Sequence, residues 1–137
     1  MEKMEKITED YVSYEVAKLL EENGFPISEH LLMYVNKDGK LMMDYQACLT
    51  MTNEEYRTFF DNYIPTITQS LAMKWLREEY DLHIIAYPYN ANGKKKWCCQ
   101  VYKTFNLLGN EKYVNETSDS YEEAVEAALK YCLTYQI

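Results

Sequence analysis

Histidine and cysteine are scarce and unfavourably spaced in this chain. It has two histidines, His30 and His83, and four cysteines without any Cys-x-x-Cys spacing. Zinc sites in proteins need about four such ligands at short, regular spacings, so the sequence predicts no metal site. No nucleotide-binding or catalytic motif is present either. We therefore expect a protein that has no cofactor and is not an enzyme.

Long apolar runs are also missing. None approaches the roughly 18 residues that cross a membrane, which predicts a protein without a membrane partner. The charged start, Met-Glu-Lys-Met-Glu-Lys, has no apolar segment behind it, so we expect no signal peptide. The sequence accordingly predicts a cytoplasmic protein whose cysteines are reduced and form no disulfide.

The chain also lacks an excess of basic residues, since its formal net charge is −8. A protein that coats nucleic acid or anionic membranes needs a basic surface, so this class is disfavoured. Over its 137 residues the chain is 47% hydrophobic and 26% charged. This composition is typical of a folded domain. We predict a single globular domain over residues 1–137.

The pattern of caps, turns and apolar positions predicts an α+β fold. We expect two antiparallel β-hairpins packed on one face by helices, in the order α-ββ-α-α-ββ-α. The first helix should run from Glu9 to Asn23, because Thr8 can cap its start and Gly24 can supply a left-handed stop. The sequence leaves open whether the two hairpins join in one sheet.

The next segment predicts a hairpin and a short helix. The strands Leu31–Val35 and Lys40–Leu49 would be joined by Asp38-Gly39, a strong short-range hairpin signal. The capping box Thr52-x-x-Glu55 then predicts a short helix that ends near Asp61. A proline at position 65 is expected to separate this helix from the one that follows.

The second half of the chain predicts a helix, a hairpin and a final helix. An amphipathic helix is expected over Thr66–Tyr80, followed by strands Leu82–Tyr89 and Lys95–Phe105 around the turn Asn92-Gly93. The last helix should begin at Ser120-x-x-Glu123, with each side chain accepting a hydrogen bond from the other residue's amide.

Both tryptophans are expected to be largely buried. Trp75 lies on the apolar stripe of the predicted helix, and we expect it beneath the sheet. Trp97 falls on the hairpin face that carries small apolar residues, and we expect helices to cover that face. Burial of such large aromatic side chains would contribute strongly to the core.

The pairing of the second hairpin can be predicted to the residue. If Asn92-Gly93 form a two-residue turn, residue i pairs with residue 185 − i, so Ala86 faces Cys99. Adjacent Cys98 and Cys99 then point to opposite faces, which disfavours a redox pair. The face that carries Trp97 is apolar. The opposite face, which we call the tyrosine face, consists of His83, Ile85, Tyr87, Tyr89, Lys94, Lys96, Cys98, Gln100 and Tyr102.

The tyrosine face is the surface that the sequence singles out for function. Tyrosines flanked by lysines could stack on bases and neutralise phosphates, although no RNA-binding signature is present. The simpler interpretation, which the sequence favours, is that tyrosines suit a half-exposed sheet and the lysines give solubility. A surface that contacts a protein is the next interpretation, ahead of nucleic acid. His83 beside Asp81 and Tyr102 suggests an acid–base cluster, but no nucleophile has an identifiable place. The candidate interaction residues are His83, Tyr87, Tyr89, Lys94, Lys96 and Tyr102.

These observations predict a non-enzymatic accessory domain that binds a protein partner. The partner is either a different protein or a second copy of the chain. One alternative is a small nucleic-acid-binding module that uses the tyrosine face. Another is an acidic inhibitor, of the kind phages encode, that engages a basic host protein. A salt series separates these two alternatives, because binding to nucleic acid weakens steeply with salt and requires Lys94 and Lys96.

Several runs of residues also carry a family resemblance. They are Ile7–Ser13, Lys18–Leu20, Gly24-Phe25, Ile64–Gln69, Leu71–Glu78, His83-Ile84, Ser120–Ala124 and Tyr131–Leu133. With these runs, most of the chain resembles a family of small uncharacterised proteins from Bacteroides-type gut bacteria and from their phages and mobile elements. No activity is assigned to that family, so the resemblance implies no catalytic residues. It implies an origin in a mobile element and a fold shared by many short reading frames.

Overall fold

A computed structural model describes residues 10–26, 33–43, 52, 54, 58, 61–104 and 112–137, of which 112–117 are described for the backbone alone. The elements bounded within these ranges confirm the α+β class. Their order is α1 (Tyr14–Glu22), β1 (Met33–Asn36), β2 (Leu41–Met43), β3 (Tyr63–Thr66), α2 (Gln69–Tyr80), β4 (Leu82–Ala91), β5 (Lys94–Lys103), β6 (Lys112–Ser118) and α3 (Tyr121–Tyr135).

The described strands form two separate antiparallel sheets, with the orders β2-β1-β3 and β4-β5-β6. Each predicted hairpin is present, and each gains a third strand that we did not predict. Strand β3 occupies the place where we expected Pro65 only to separate two helices. Pro65 faces Tyr34 at the edge of its sheet, where a missing N–H is tolerated.

The first helix begins later than predicted. Ser13, and not Thr8, caps α1, since its Oγ accepts a hydrogen bond from the amide of Val16 at 3.2 Å. The residues just before Ser13 are extended, and the amide of Val12 donates to the carbonyl of Ile67 at 2.9 Å. That long-range pairing removes these residues from the helix. Thr8 itself lies outside the described residues.

The end of α1 is as predicted. Gly24 follows the C-cap residue Asn23 and has a φ of 85°, a left-handed conformation that L-residues rarely adopt. The amide of Phe25 donates to the carbonyl of Leu20 at 3.0 Å, and that of Gly24 to Glu21 at 3.2 Å. This pair of bonds is a Schellman motif, which satisfies carbonyls that the helix end leaves open.

The first hairpin turns at the predicted residues. Gly39 has a φ of 84°, and Val35 pairs with Leu41 across the turn. The side-chain oxygen of Asn36 accepts bonds from the amides of Asp38 and Lys40 at 3.0 and 2.9 Å, which fixes the loop. The described strands are shorter than predicted, and residues 31, 32 and 44–49 lie outside the described ranges.

The predicted short helix can be followed only in part. Glu54, Thr58, Asp61 and Asn62 are helical, and the Thr58 hydroxyl donates to the carbonyl of Glu54 at 3.1 Å. Glu55 of the predicted capping box is outside the described residues. Helix α2 starts at Gln69 and not at Thr66, because Thr66 belongs to β3 and Thr68 caps the helix.

The second hairpin has the predicted register. Ala86 pairs with Cys99, Ile84 with Val101 and Leu82 with Lys103, so the pairing rule holds along the whole of β4 and β5. Its turn is formed by Asn92-Gly93, whose φ angles are 52° and 84°. Positive φ at both positions defines a type I′ turn, which matches the right-handed twist of paired strands. Strand β6 then pairs with β5, and we did not predict this strand.

Helix α3 holds the fold together, since it contacts α1, α2, β4, β5 and β6. Its cap is nearly as predicted, because Ser120 Oγ accepts from the amide of Glu123 at 3.1 Å. Glu123 reaches back one residue further than predicted, to the amide of Asp119 at 3.1 Å. The core side chains of α3 are Ala124, Val125, Ala128, Leu129, Cys132 and Leu133.

Both tryptophans pack against the core with most of their surface buried, in agreement with the prediction, and each keeps part of its ring exposed. Trp75 packs edge-on against Phe25 and Tyr80, with ring centroids 5.3 Å apart in each case. Trp97 packs edge-on against Tyr121, the first residue of α3, at 5.6 Å. The centre of the core is filled by smaller aliphatic side chains, so the indole rings close its margin.

Candidate functional site

The register of β4 and β5 brings the predicted candidate residues together on the tyrosine face. His83 faces Tyr102, Tyr87 faces Cys98, and Tyr89 faces Lys96. The opposite face of the sheet contributes Cys99 and Val101 to the core. The sequence therefore assigned the two faces correctly.

The tyrosine face is less open than an isolated hairpin face would be. Cys98, at its centre, is only 3% exposed, while His83, Tyr87, Tyr89, Lys96 and Tyr102 are half-buried. Ile85, on the outer strand, is 43% exposed. The accessible apolar surface therefore lies along the β4 side of the face, around Ile85.

The lysines near the hairpin tip do not form an unopposed cationic patch. The ammonium group of Lys96 forms an ion pair with Asp119, whose hydrogen bond raises the pKa of Lys96. That same bond lowers the pKa of Asp119, and the nearby charge of Lys94 lowers it further. Lys95 lies on the other side of the strand, with its Nζ 5.3 Å from the centre of the Trp97 ring.

At the opposite end of the hairpin, Asp81, His83 and Thr104 form a polar cluster. Asp81 Oδ1 is 2.7 Å from His83 Nε2 and accepts a bond from the Thr104 hydroxyl at 2.7 Å. Its other oxygen accepts from the Thr104 amide at 2.9 Å. These bonds, from Thr104 first and then from His83, lower the pKa of Asp81. The cluster ties the start of β4 to the end of β5.

The geometry of this cluster does not fit a catalytic relay. In a relay, the carboxylate and the nucleophile bind opposite nitrogens of the imidazole. Here Asp81 and the Thr104 hydroxyl both approach His83 Nε2, at 2.7 and 2.9 Å. The His83 ring also stacks on Tyr102, with centroids 5.1 Å apart. The acid–base reading of His83 is therefore disfavoured, and a structural role fits the contacts better.

Replacing Asp81 tests that structural role. Asp81 has a φ of 54°, so Asp81→Ala adds backbone strain to the loss of the hydrogen bonds, whereas Asp81→Gly removes the bonds without strain. We expect urea unfolding to show a lower midpoint for Asp81→Gly than for the wild type, and a still lower midpoint for Asp81→Ala because of the added strain. If the glycine variant is as stable as the wild type, the cluster does not hold the hairpin ends together.

The described cysteines are buried thiols that are poorly suited to nucleophilic chemistry. Burial raises the pKa of Cys99 and of Cys132 to about 12, and the proximity of the two thiols adds to the effect on Cys132. The thiolate is the reactive form, so these groups stay protonated near neutral pH. Cys98 is also a buried free thiol, and Cys48 lies outside the described residues.

A cleft that the sequence analysis missed lies between the start of α1, the first hairpin and the start of α3. It has a volume of about 390 Å³. Gln69 and Glu126 join its walls, since Gln69 Nε2 donates to Glu126 Oε2 at 3.1 Å and the Ser13 amide donates to Glu126 Oε1 at 2.7 Å. These residues come from three distant segments, and no local pattern signals their contact. The cleft is lined by Asp10, Tyr11, Val12, Ser13, Val35, Gly39, Leu41, Gln69, Glu122, Glu123 and Glu126.

Comparison with protein-family models, with curated proteins and with solved structures finds no match to this chain. None of the described helices is long and apolar enough to cross a membrane. In the same residues, no group of three or more histidine, cysteine or acidic side chains is placed to hold a metal ion. The function is therefore inferred from the geometry of the chain itself.

Proposed function

We propose that this chain is a non-enzymatic accessory domain that binds a protein partner through the tyrosine face. The observation that carries the proposal is the 43% exposure of Ile85 beside the half-buried Tyr87 and Tyr89. An apolar side chain rimmed by amphipathic aromatic residues is typical of protein-binding surfaces. Helix α3 packs on the opposite face of the same sheet, so the tyrosine face is held by a rigid scaffold.

Charge favours a protein partner over nucleic acid. Binding to a phosphate backbone relies on cations that are free to replace counterions. On the tyrosine face, Lys96 is already paired with Asp119, and Asp81 opposes any positive charge on His83. The His83 ring is stacked on Tyr102, so one of its faces is not available to a base. Lys94 is left as a cation of this face without an ion pair among the described residues, and one lysine is a weak basis for phosphate binding, so these contacts favour protein recognition.

The face is a better binding surface than the edge of the sheet. The turn residues Asn92-Gly93 make Ala91 and Lys94 a hydrogen-bonded pair, and such pairs alternate along the ladder. Pro88 therefore sits in a pair without hydrogen bonds, so the N–H that it lacks would point away from β5. Its position removes a donor from the outer edge of β4, which limits strand addition there.

A second copy of the chain is the first partner to test. We propose a symmetric dimer in which the tyrosine faces pack on each other, as in the isologous interfaces common among oligomers. The origin in a mobile element remains a prediction from family resemblance, and a small accessory domain fits that origin. The accessory role is supported by the geometry of His83 and by the protonated thiols of the core.

Ile85→Asp tests the proposed interface, because it places a charge at the exposed apolar point of the face. We expect light scattering to show a dimer for the wild type and a monomer for Ile85→Asp, with unchanged melting behaviour. Met43→Asp is the matched control, since Met43 is about as exposed as Ile85 (42% and 43%) but lies on the other sheet.

If the wild type is a monomer, the partner is a different protein, and the same pair of variants is compared for capture from a lysate. The proposal predicts a protein that is captured by the wild type and by Met43→Asp but not by Ile85→Asp. Equal capture by all three chains, or an unchanged dimer in Ile85→Asp, would show that the tyrosine face is not the interface.

A further inference from the structure

The acidic cleft is a second surface with features of a binding site, and it is independent of the tyrosine face. Its floor is apolar, because Val12 and Val35 are buried core residues that line it. Leu41, the cross-strand partner of Val35, extends the floor and is 44% exposed. Its volume of about 390 Å³ lies within the ~300–1,000 Å³ range of ligand-binding clefts.

The rim of the cleft is strongly negative. Asp10 stands on the α1 side, and Glu122 and Glu126 stand one helical turn apart on α3. The described residues that line the cleft include four carboxylates, and none of them is a lysine, arginine or histidine. None of the ion pairs among the described residues involves these carboxylates. Amide donors and the N-terminus of α3 hold part of this negative charge, and no cationic side chain among the described residues pairs with it.

The carboxylates also differ in how they are held. Glu126 accepts bonds from Ser13 and Gln69, so it is part of the scaffold. Among the described residues, no amide donates to the side chain of Asp10 or of Glu122, and these two carboxyl groups lie within hydrogen-bonding reach of each other. Partial burial and then the adjacent charge of Glu122 raise the pKa of Asp10. A cation placed between the two carboxylates would relieve this repulsion.

We propose that the acidic cleft binds a basic, amphipathic segment of a partner protein. In this arrangement a lysine or arginine side chain pairs with Asp10 and Glu122, while an apolar side chain covers Leu41. A metal ion would not use the apolar floor, and a purely apolar segment would leave the carboxylates unpaired. The apolar floor and the acidic rim together therefore select a segment that carries both kinds of side chain. The net charge of −8 on the protein attracts such a basic segment toward it.

The probe is a hexapeptide of alternating lysine and leucine with blocked ends, titrated into the full chain and followed by NMR and calorimetry. Companion peptides of lysine alone and of alternating glutamate and leucine separate the contributions of charge and apolar contact. The charge variant is the double substitution Asp10→Asn and Glu122→Gln, which removes two carboxylate charges from the rim. Its matched control, Glu78→Gln with Glu79→Gln, removes two carboxylate charges from the exposed side of α2. Leu41→Ser tests the floor.

We expect the lysine–leucine peptide to shift amide signals around residues 10–13, 39–41 and 122–126. The charge variant should weaken binding by about three- to tenfold, as two exposed ion pairs would. Leu41→Ser should weaken it by roughly fivefold through lost apolar contact. The control variant should bind like the wild type, and the glutamate–leucine peptide should not bind.

Three results would overturn the proposal. The first is binding that does not change in the charge variant, or no binding of the lysine–leucine peptide at all. The second is equal binding of the lysine-only peptide together with no effect of Leu41→Ser, which would indicate an unspecific acidic patch. The third is self-association that the charge variant abolishes and Ile85→Asp preserves, which would make a second copy the occupant. Circular dichroism of each variant checks that the fold is intact.

Discussion

Replacing Leu129 with alanine is expected to lower the free energy of unfolding by about 3–4 kcal/mol. Leu129 is completely buried at the middle of α3. This helix contacts strands β4, β5 and β6 and the helices α1 and α2. Truncation removes apolar contacts and leaves a cavity that the rigid strands β4 and β5 cannot fill. Urea unfolding followed by circular dichroism measures the loss.

Thr134→Ala is the matched control, because Thr134 lies on the exposed side of the same helix. It removes a comparable amount of side chain without creating a cavity, and we expect a change within about 0.5 kcal/mol. A loss of less than 1 kcal/mol in Leu129→Ala would mean that α3 does not pack on the sheet as described.

Replacing Glu126 with alanine is expected to cost about 2–3 kcal/mol, although Glu126 is a partly exposed charged residue. Its carboxylate accepts the Ser13 amide at 2.7 Å and the Gln69 side chain at 3.1 Å. Gln69 is only 7% exposed, so its amide would lose a partner in a place with little access to water. The same contacts link the starts of α1, α2 and α3.

Two further variants make this prediction specific. The free energy of unfolding of Glu126→Gln should lie between those of the wild type and Glu126→Ala. The glutamine side chain can accept one of the two hydrogen bonds through its oxygen, but its NH₂ group would face the second donor. Glu122→Gln should have little effect, since no donor among the described residues binds the Glu122 side chain. Thermal unfolding that ranks Glu122→Gln as the more damaging change would show that the cleft network is not structural.

Local patterns in the sequence were enough to predict the second hairpin. The Asn92-Gly93 turn sets the register by its own geometry, and the period of two along each strand then assigns every side chain to a face. The stop at Gly24 and the cap at Ser120 were predictable for the same reason, since each depends on residues within about one turn.

Elements that depend on distant residues were missed. Strand β3 exists because Tyr63–Thr66 pairs with β1, and its proline argued locally against a strand. The start of α1 was placed too early, because the pairing of Val12 with Ile67 pulls that segment into an extended form. Strand β6 is mostly polar, and it is stabilised by pairing with β5.

The two candidate surfaces differ in the same way. The tyrosine face lies on one hairpin, so the sequence could assemble it, although the sequence could not show that Cys98 at its centre is buried or that Lys96 pairs with Asp119. The acidic cleft combines residues near position 10, position 40 and position 122. Only the folded chain brings them together.

Photo-crosslinking from position 85 tests the central claim most directly. A photoreactive phenylalanine analogue is placed at Ile85, or at Thr134 as a control on the exposed side of α3, and the cells that express the protein are irradiated. We predict one discrete heavier adduct from position 85, either twice the mass of the chain or the chain plus one partner, and none from position 134. The same adduct from both positions, or no adduct from position 85, would contradict a protein interface on the tyrosine face.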